Sequence, residues 1–335
     1  MRRARVVSAG VGLGLLAAAC SGGDAAEAGD LRVAYVQDLS RPGAFEHGLP
    51  AMQGAALALR IAEITGRTDL SVTLVSVDVG ADPEAIAELA ADPGVVAVIA
   101  APGLDARPIE AGTLPVVSLA GSDEASGGVV LPLVPPGSVQ ADALAADVQA
   151  LAPAGTEVCL RGDRSDGFLA DVAGALGVPA RSGPPCPVVV WHGDPRIAAD
   201  LAAGGAALAG SDTLLDPDFV SEAGPAAEGA VAVCGCADVS TSTARPIQRF
   251  VQDYQSEFGS APGAYAVEGW DAATLIVRAL EEAGASREDA AAWLARVGVL
   301  DGLERTYRFG DDGSLLNPES FVLTYIAHGG RWVSR

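Results

Sequence analysis

The sequence contains no lysine: its 21 basic residues are all arginine, set against 43 acidic ones, for a formal charge of −22. A surface of that sign repels nucleic acid and anionic lipid headgroups, so no nucleic-acid partner is expected. Histidine is scarce as well, with three residues, His47, His192 and His328. No nucleophile elbow, Walker loop or metalloprotease helix occurs, so the chain offers no local reaction centre and reads as a non-enzyme with no cofactor. The glycines of "GVGLG" lie in an N-terminal apolar segment and form no dinucleotide fingerprint. "GDDGS" at 310–314 lacks the spacing of a calcium loop and reads as a solvated turn. Beyond that N-terminal segment there is no long apolar run that could cross a bilayer.

What is present begins with the N-terminus. Arg2, Arg3 and Arg5 precede an uncharged stretch ending in "GLGLLAAACSGGD". A basic start, a short apolar middle and small residues at the end are the layout of a secretory signal, too short for a permanent anchor. The "AAAC" ending resembles a bacterial lipoprotein box. On that reading residues 1–19 are removed, Cys20 carries lipid, and residues 20–30 are a flexible tether; plain secretion with cleavage after "AAA" is the alternative. An exported protein meets oxidising conditions, so Cys159, Cys186, Cys234 and Cys236 are expected to form disulfides. Three pairings are possible, with Cys159–Cys186 and Cys234–Cys236 preferred. A metal site on "CGC" with His192 competes weakly for want of a second ligand pair, and no metal is expected.

From Leu31 onward strand-like and helix-like segments alternate. "LRVAYVQ", "LSVTLVSVD", "GVVAVIAA", "TLPVVSL" and "GGVVLPLVP" read as strands, with helices in "MQGAALALRIAEIT" and "DPEAIAELAAD". The pattern restarts after Gln140. Helix "ADALAADVQALA" leads to strand "TEVCLRG", helix "GFLADVAGALG", strand "PVVVWHG", helix "PRIAADLAAGGAALAG" and strands "DTLLDP" and "GAVAVCG". Helices follow in "ARPIQRFVQDYQSEFG", "VEGWDAATLIVRALEEAG" and "SREDAAAWLARVG", and "SFVLTYIAHGGRWV" closes the chain as a hairpin. Such alternation predicts an α/β protein with parallel central sheets in two similar Rossmann-like lobes. Ligands of such sheets sit beyond the carboxyl ends of the strands. Asp216, at the end of the expected strand "DTLLDP", is therefore a candidate ligand group, with a helix cap as the equal alternative.

Several segments together resemble the type I periplasmic binding proteins of the branched-chain amino-acid class, the solute receptors of ABC importers. They are "FVQDYQSEFGSAPGAYAVEGWDAATLIVRALEEAG", "LSRPGAFEHGLPAMQGAALAL", "DPGVVAVIAAP", "LPVVSLAGS" and "GLERTYRFGDDGS". The resemblance implies two lobes joined by a three-segment hinge, with crossings near Val134, Ser260 and Gly310. The first lobe would then be residues 31–133 plus 260–309, and the second 134–259 plus 310–335. It implies a carboxylate-binding loop at Ser118, Gly121 and Ser122, with a further polar contact at Asp105. His47, with Phe45 beside it, would touch the ligand side chain. Asp166 would face the ligand from the second lobe, where the family's ammonium partner aligns with Arg196, two residues after Asp194. An arginine there cannot hold an ammonium, which Asp166 or Asp194 could; an Arg196 pointing into the cleft would favour a ligand with a second anionic or carbonyl group, and the alternative is a surface arginine on the first helical turn. Tyr265 and Trp270 are expected to pack between helix and sheet.

The function implied is that of a lipid-anchored, extracytoplasmic receptor. It would trap a small amino acid or related carboxylate or amide by hinge closure and deliver it to an ABC permease. The alternative is a sensory or scaffolding envelope lipoprotein that kept the fold without transport.

Overall fold

The computed structural model describes residues 31–335 apart from 42, 83, 105–108, 110–113, 122–129, 153–155, 165–166, 178–185 and 241. The signal and tether, Cys20, Asp105, Ser122 and Asp166 lie outside the described residues.

The first layer is a parallel sheet of β1 (Leu31–Gln37), β2 (Val72–Asp78), β3 (Val95–Ala100), β4 (Val116–Ser118) and β5 (Val130–Pro132), in the order β2-β1-β3-β4-β5. Every residue of β3, "VVAVIA", is buried. An unbroken apolar run of this kind is what a parallel strand covered on both faces requires. Helices α1 (Ala44–Ile64) and α8 (Ala266–Ala283) pack against each other on this sheet. They meet backbone to backbone: a Cβ added at Gly54 would lie 1.9 Å from the Ala266 carbonyl oxygen, and one at Gly269 would lie 1.9 Å from that of Ala51. Glycine at both points is therefore a packing requirement. Between them in sequence lie α2 (Ala85–Ala91), α3 (Gly137–Leu151), α4 (Phe168–Leu176), α5 (Pro195–Ala203), α6 (Pro217–Ala223) and α7 (Arg245–Phe258), and α9 (Arg287–Leu294) follows α8.

The second layer is a six-stranded sheet in the order β13-β12-β9-β8-β7-β6. Strands β6 (Val158–Gly162), β7 (Val188–His192), β8 (Ala207–Gly210) and β9 (Val231–Cys234) run parallel; β12 (Leu323–His328) and β13 (Arg331–Ser334) form the expected antiparallel hairpin. Side chains alternate across this sheet. Val188 and Val190 join the core under α3 and α4, while Val189 and Trp191 join the one under α5 and α6.

Three expectations are corrected. The helix read over "PRIAADLAAGGAALAG" ends at Ala203, because Gly204 and Gly205 (φ 90°) stop it, and Ala207–Gly210 is strand β8. "DTLLDP" is accordingly no strand: Ser211 caps a 3-10 turn over Asp212–Leu215, and Asp216 with Pro217 starts α6. The second crossing also moves. Helix α7 packs on α1 of the first layer, where the Tyr254 hydroxyl donates to Gln53 Oε1 at 2.6 Å and Arg60 pairs with Glu257. The chain thus returns to the first layer just after Cys236, ahead of the boundary near Ser260 implied by the resemblance.

The three passages between layers converge. Gly235 sits against Val134 and Pro135 of the first passage. The Arg305 guanidinium, between β10 (Val299–Asp301) and β11 (Thr306–Arg308), donates to the carbonyls of Gly235 at 3.0 Å and Phe321 at 3.3 Å. Beside it lie two fully buried carboxyls of α8. Glu268 accepts from Ala237 N–H at 2.8 Å and lies 3.8 Å from Arg305; Asp271 accepts from Leu303 N–H at 2.8 Å and the Tyr307 hydroxyl at 3.0 Å. Burial raises both above the usual carboxylate range, Asp271 to about 8. One guanidinium cannot neutralise two desolvated carboxylates, so a retained proton is the cheaper solution.

Both preferred disulfides are present. Cys159–Cys186 ties β6 to the entry of β7 with Cα atoms 5.9 Å apart, and Cys234–Cys236 brackets Gly235 at the second passage with Cα atoms 5.1 Å apart.

Candidate functional site

The carboxyl ends of the parallel strands of both layers face a common cleft of about 60 Å³. Gln37 and Asp38 reach it from β1, Leu104 from the segment after β3, and Arg41, Gly43 and His47 from the loop and first turn of α1. The opposite wall is Asp163 after β6, His192 and Gly193 at the end of β7, and Asp212 and Thr213 after β8.

The lower wall is ordered by a hydroxyl network. Ser211 Oγ lies 2.8 Å from His192 Nδ1 and 2.9 Å from Thr213 Oγ1, which accepts from Gly193 N–H at 3.2 Å. The upper wall is ordered by local bonds. Asp38 accepts from Ser40 N–H and hydroxyl, Gln37 donates to Ser76 Oγ at 3.0 Å, and Arg41 donates to the Gly103 carbonyl. Two groups cross the gap to one residue. The Tyr265 hydroxyl, at the start of α8, donates to Asp212 Oδ2 at 2.5 Å, and His47 Nε2 lies 3.1 Å from the Asp212 carbonyl oxygen. The charged part of the lining is predominantly acidic, Asp38, Asp163 and Asp212 against one guanidinium, Arg41. Among the described residues no group of His, Cys, Asp and Glu is arranged to hold a metal ion.

Of the residues anticipated from sequence, His47 alone among the described ones lines this cleft. Phe45, two residues earlier on α1, is 55 % exposed. Ser118 is fully buried at the end of β4, its Oγ accepting from Ala120 N–H, and Gly121 packs on the Pro135 carbonyl; neither lines the cleft. Asp194 caps α5 by accepting from Arg196 N–H at 2.9 Å, as a helix N-terminus with a following proline favours. Arg196 points outward, its side chain 67 % exposed, to Asp218 at 3.2 Å and Glu222 at 3.5 Å. It is the surface residue of the two alternatives. Asp216 caps α6 through Asp218 N–H at 2.7 Å, and burial raises its carboxyl above the ordinary range.

Sequence reasoning missed Asp212 and Thr213, because the misplaced strand put them inside it. The signal was there: "GG" ends a helix, and "SDT" is a capping sequence. Tyr265, expected in packing, is buried but also donates into the cleft wall.

Two sheets whose parallel strands end at one cleft from opposite sides, and three chain passages joining them, decide the comparison. The chain has the fold of a type I periplasmic binding protein. The family model described as periplasmic binding protein matches residues 196–328. Among solved structures it is similar to the branched-chain amino-acid binding protein LivJ of Streptococcus pneumoniae in complex with isoleucine (TM-score 0.73, 15 % identity, 92 % of this chain and 100 % of that one). A solute-binding protein of an R. palustris ABC transporter in complex with benzoate gives a TM-score of 0.71 at 18 % identity, covering 91 % and 95 %. The leucine-binding protein LivK of Thermotoga maritima gives 0.70 at 18 %, covering 91 % and 97 %. No curated protein sequence matches.

Proposed function

We propose that this periplasmic-binding-protein-like chain is an exported, lipid-anchored solute receptor of an ABC importer, and that its guest is a small polar molecule held between the layers. The observation that carries this reading is the interlayer cleft itself, with polar groups of both sheets at its walls. The first lobe on this reading is residues 31–133 with 245–308, and the second is residues 137–235 with 316–335. Residues 1–19 are the signal, and Cys20 carries the lipid that keeps the receptor at the outer face beside its permease.

The chemistry of the walls narrows the guest. A cleft whose charged groups are predominantly carboxylates attracts a cationic guest over an anionic one. Three carboxylates against one arginine favour a guest carrying an ammonium or amide group over one with a second anionic group. Because Arg196 pairs outward, nothing supports the extra anion that an inward arginine would have favoured. Small-molecule sites generally occupy roughly 300–1,000 Å³, so a cleft of about 60 Å³ admits an amino-acid-sized guest only if the layers part first. That narrowness is also what favours the second reading, an envelope lipoprotein that senses or scaffolds without transport.

A thermal-shift panel of small amino acids, amides, amines and carboxylates tests the proposal. A guest at a hundred times its dissociation constant stabilises the folded state by about 2.7 kcal/mol. Such a compound should emerge among the amines and amino acids, and Asp212→Asn should weaken it. No shift across the panel would remove the receptor reading and leave the scaffolding one.

A further inference from the structure

His47 makes contacts that an uncharged imidazole cannot satisfy. Its Nδ1 lies 2.9 Å from the Gly43 carbonyl oxygen within its own layer, and its Nε2 lies 3.1 Å from the Asp212 carbonyl oxygen across the cleft. A carbonyl oxygen only accepts, and a neutral imidazole carries one N–H. Both bonds exist together only in the doubly protonated ring. The ring is buried, 7 % exposed, so water does not replace a missing bond cheaply.

We propose that His47 couples a proton to closure of the cleft: the imidazolium fastens the two layers together through Asp212, and loss of its proton releases them. This rests on the reading above that the layers part about their three connections, but not on which guest they hold. His47 is a positioning residue here, acting on closure rather than on the guest.

The surroundings are consistent with a cation at this point. On its own segment the ring has Glu46 and Arg41 as charged neighbours. From the facing layer come Asp212 and Asp216, the latter electrostatically coupled to His47. From α8 comes Tyr265, ring edge to face at 6.2 Å, with its hydroxyl on the Asp212 carboxylate. Asp38, Asp163 and His192 complete the cleft walls. The acidic neighbours outnumber Arg41. His192 bonds Ser211 of its own layer, so that bond holds no layers together. His328 pairs with Glu228 on the terminal hairpin, away from the cleft.

The sign follows from linkage. If the closed form binds one more proton than the open form, closure is favoured at low pH and is lost as pH rises, by up to tenfold in the open-to-closed ratio per pH unit. Small-angle X-ray scattering of the guest-free protein from pH 5.5 to 8.5 measures that ratio directly. The wild type should grow more extended as pH rises, with at least a tenfold change in the ratio. His47→Gln, whose amide can donate to one carbonyl at any pH, should change less than twofold. Tyr265→Phe removes the other bond to Asp212; it should be more open at every pH by roughly tenfold while keeping the wild-type slope. A flat wild-type profile overturns the proposal, as does an equal slope in His47→Gln, or a slope abolished by Tyr265→Phe alone. A failed guest screen with the scattering result intact would remove the receptor function and leave the proton-linked closure standing.

Discussion

Replacing Asp271 by asparagine should make this protein less sensitive to pH between 5 and 7. Asp271 is buried beside Glu268, and its carboxyl is pushed up to about 8 by that burial. In the unfolded chain it titrates near 3.8. Between those values the folded state holds a proton that the unfolded state has released, so stability falls as pH rises, by about 1.4 kcal/mol per unit. From pH 5 to pH 7 that amounts to about 3 kcal/mol. Asparagine does not titrate, still accepts from Leu303 N–H, and offers an amide N–H to the Tyr307 oxygen. The difference between wild type and variant reads Asp271 together with its coupling to Glu268, while histidine contributions are common to both. Carboxyls held low by hydrogen bonds, such as Asp238 and Asp312, lose their stabilising effect only at lower pH, as they become protonated. Urea unfolding at pH 5 and pH 7, followed by tryptophan fluorescence and circular dichroism, gives the four free energies. Equal pH dependence in the two proteins would refute the placement of a retained proton at Asp271.

Gly269→Ala forces a methyl group into the Ala51 backbone and should lower the melting temperature markedly, the cost of overpacking being typically 1–3 kcal/mol. Arg196→Ala removes only outward ion pairs, so guest affinity and melting temperature should stay at wild-type values in calorimetry and thermal melts. Changing Cys159 and Cys186 together to serine opens a link between residues 27 apart in sequence, worth about 3.5 kcal/mol in urea unfolding. Intact-mass measurement after alkylation of the unreduced wild type should show neither cysteine modified.

Much of the architecture could be read in advance wherever one residue pattern admitted one element. β1 and β3 are apolar, β-branched runs bounded by turn residues, and they fold as read. The alanine-rich stretch from 195 to 210 was ambiguous, because alanine suits a helix and β8 is built of "ALAG". Only its place between β7 and β9 makes that segment a strand, and placement is a tertiary fact. The error carried forward: it displaced the end of β8 and hid Asp212. Arg196 and Asp216 show the complementary limit. Both sit near strand ends, where ligand groups are sought, yet a helix cap or a surface ion pair uses them instead. The second passage was misplaced because α7 is amphipathic and could cover either sheet; Tyr254 and Glu257 reaching Gln53 and Arg60 are what assign it.

The bare contact between α1 and α8 has a bearing on how the jaws grip. With Gly54 against Ala266 and Gly269 against Ala51, neither helix can slide or roll without its main chain striking the other. His47 rides near the beginning of one and Tyr265 at the beginning of the other. The two donors therefore arrive at Asp212 as a fixed pair, like prongs of one plug, and disengage together rather than one after the other.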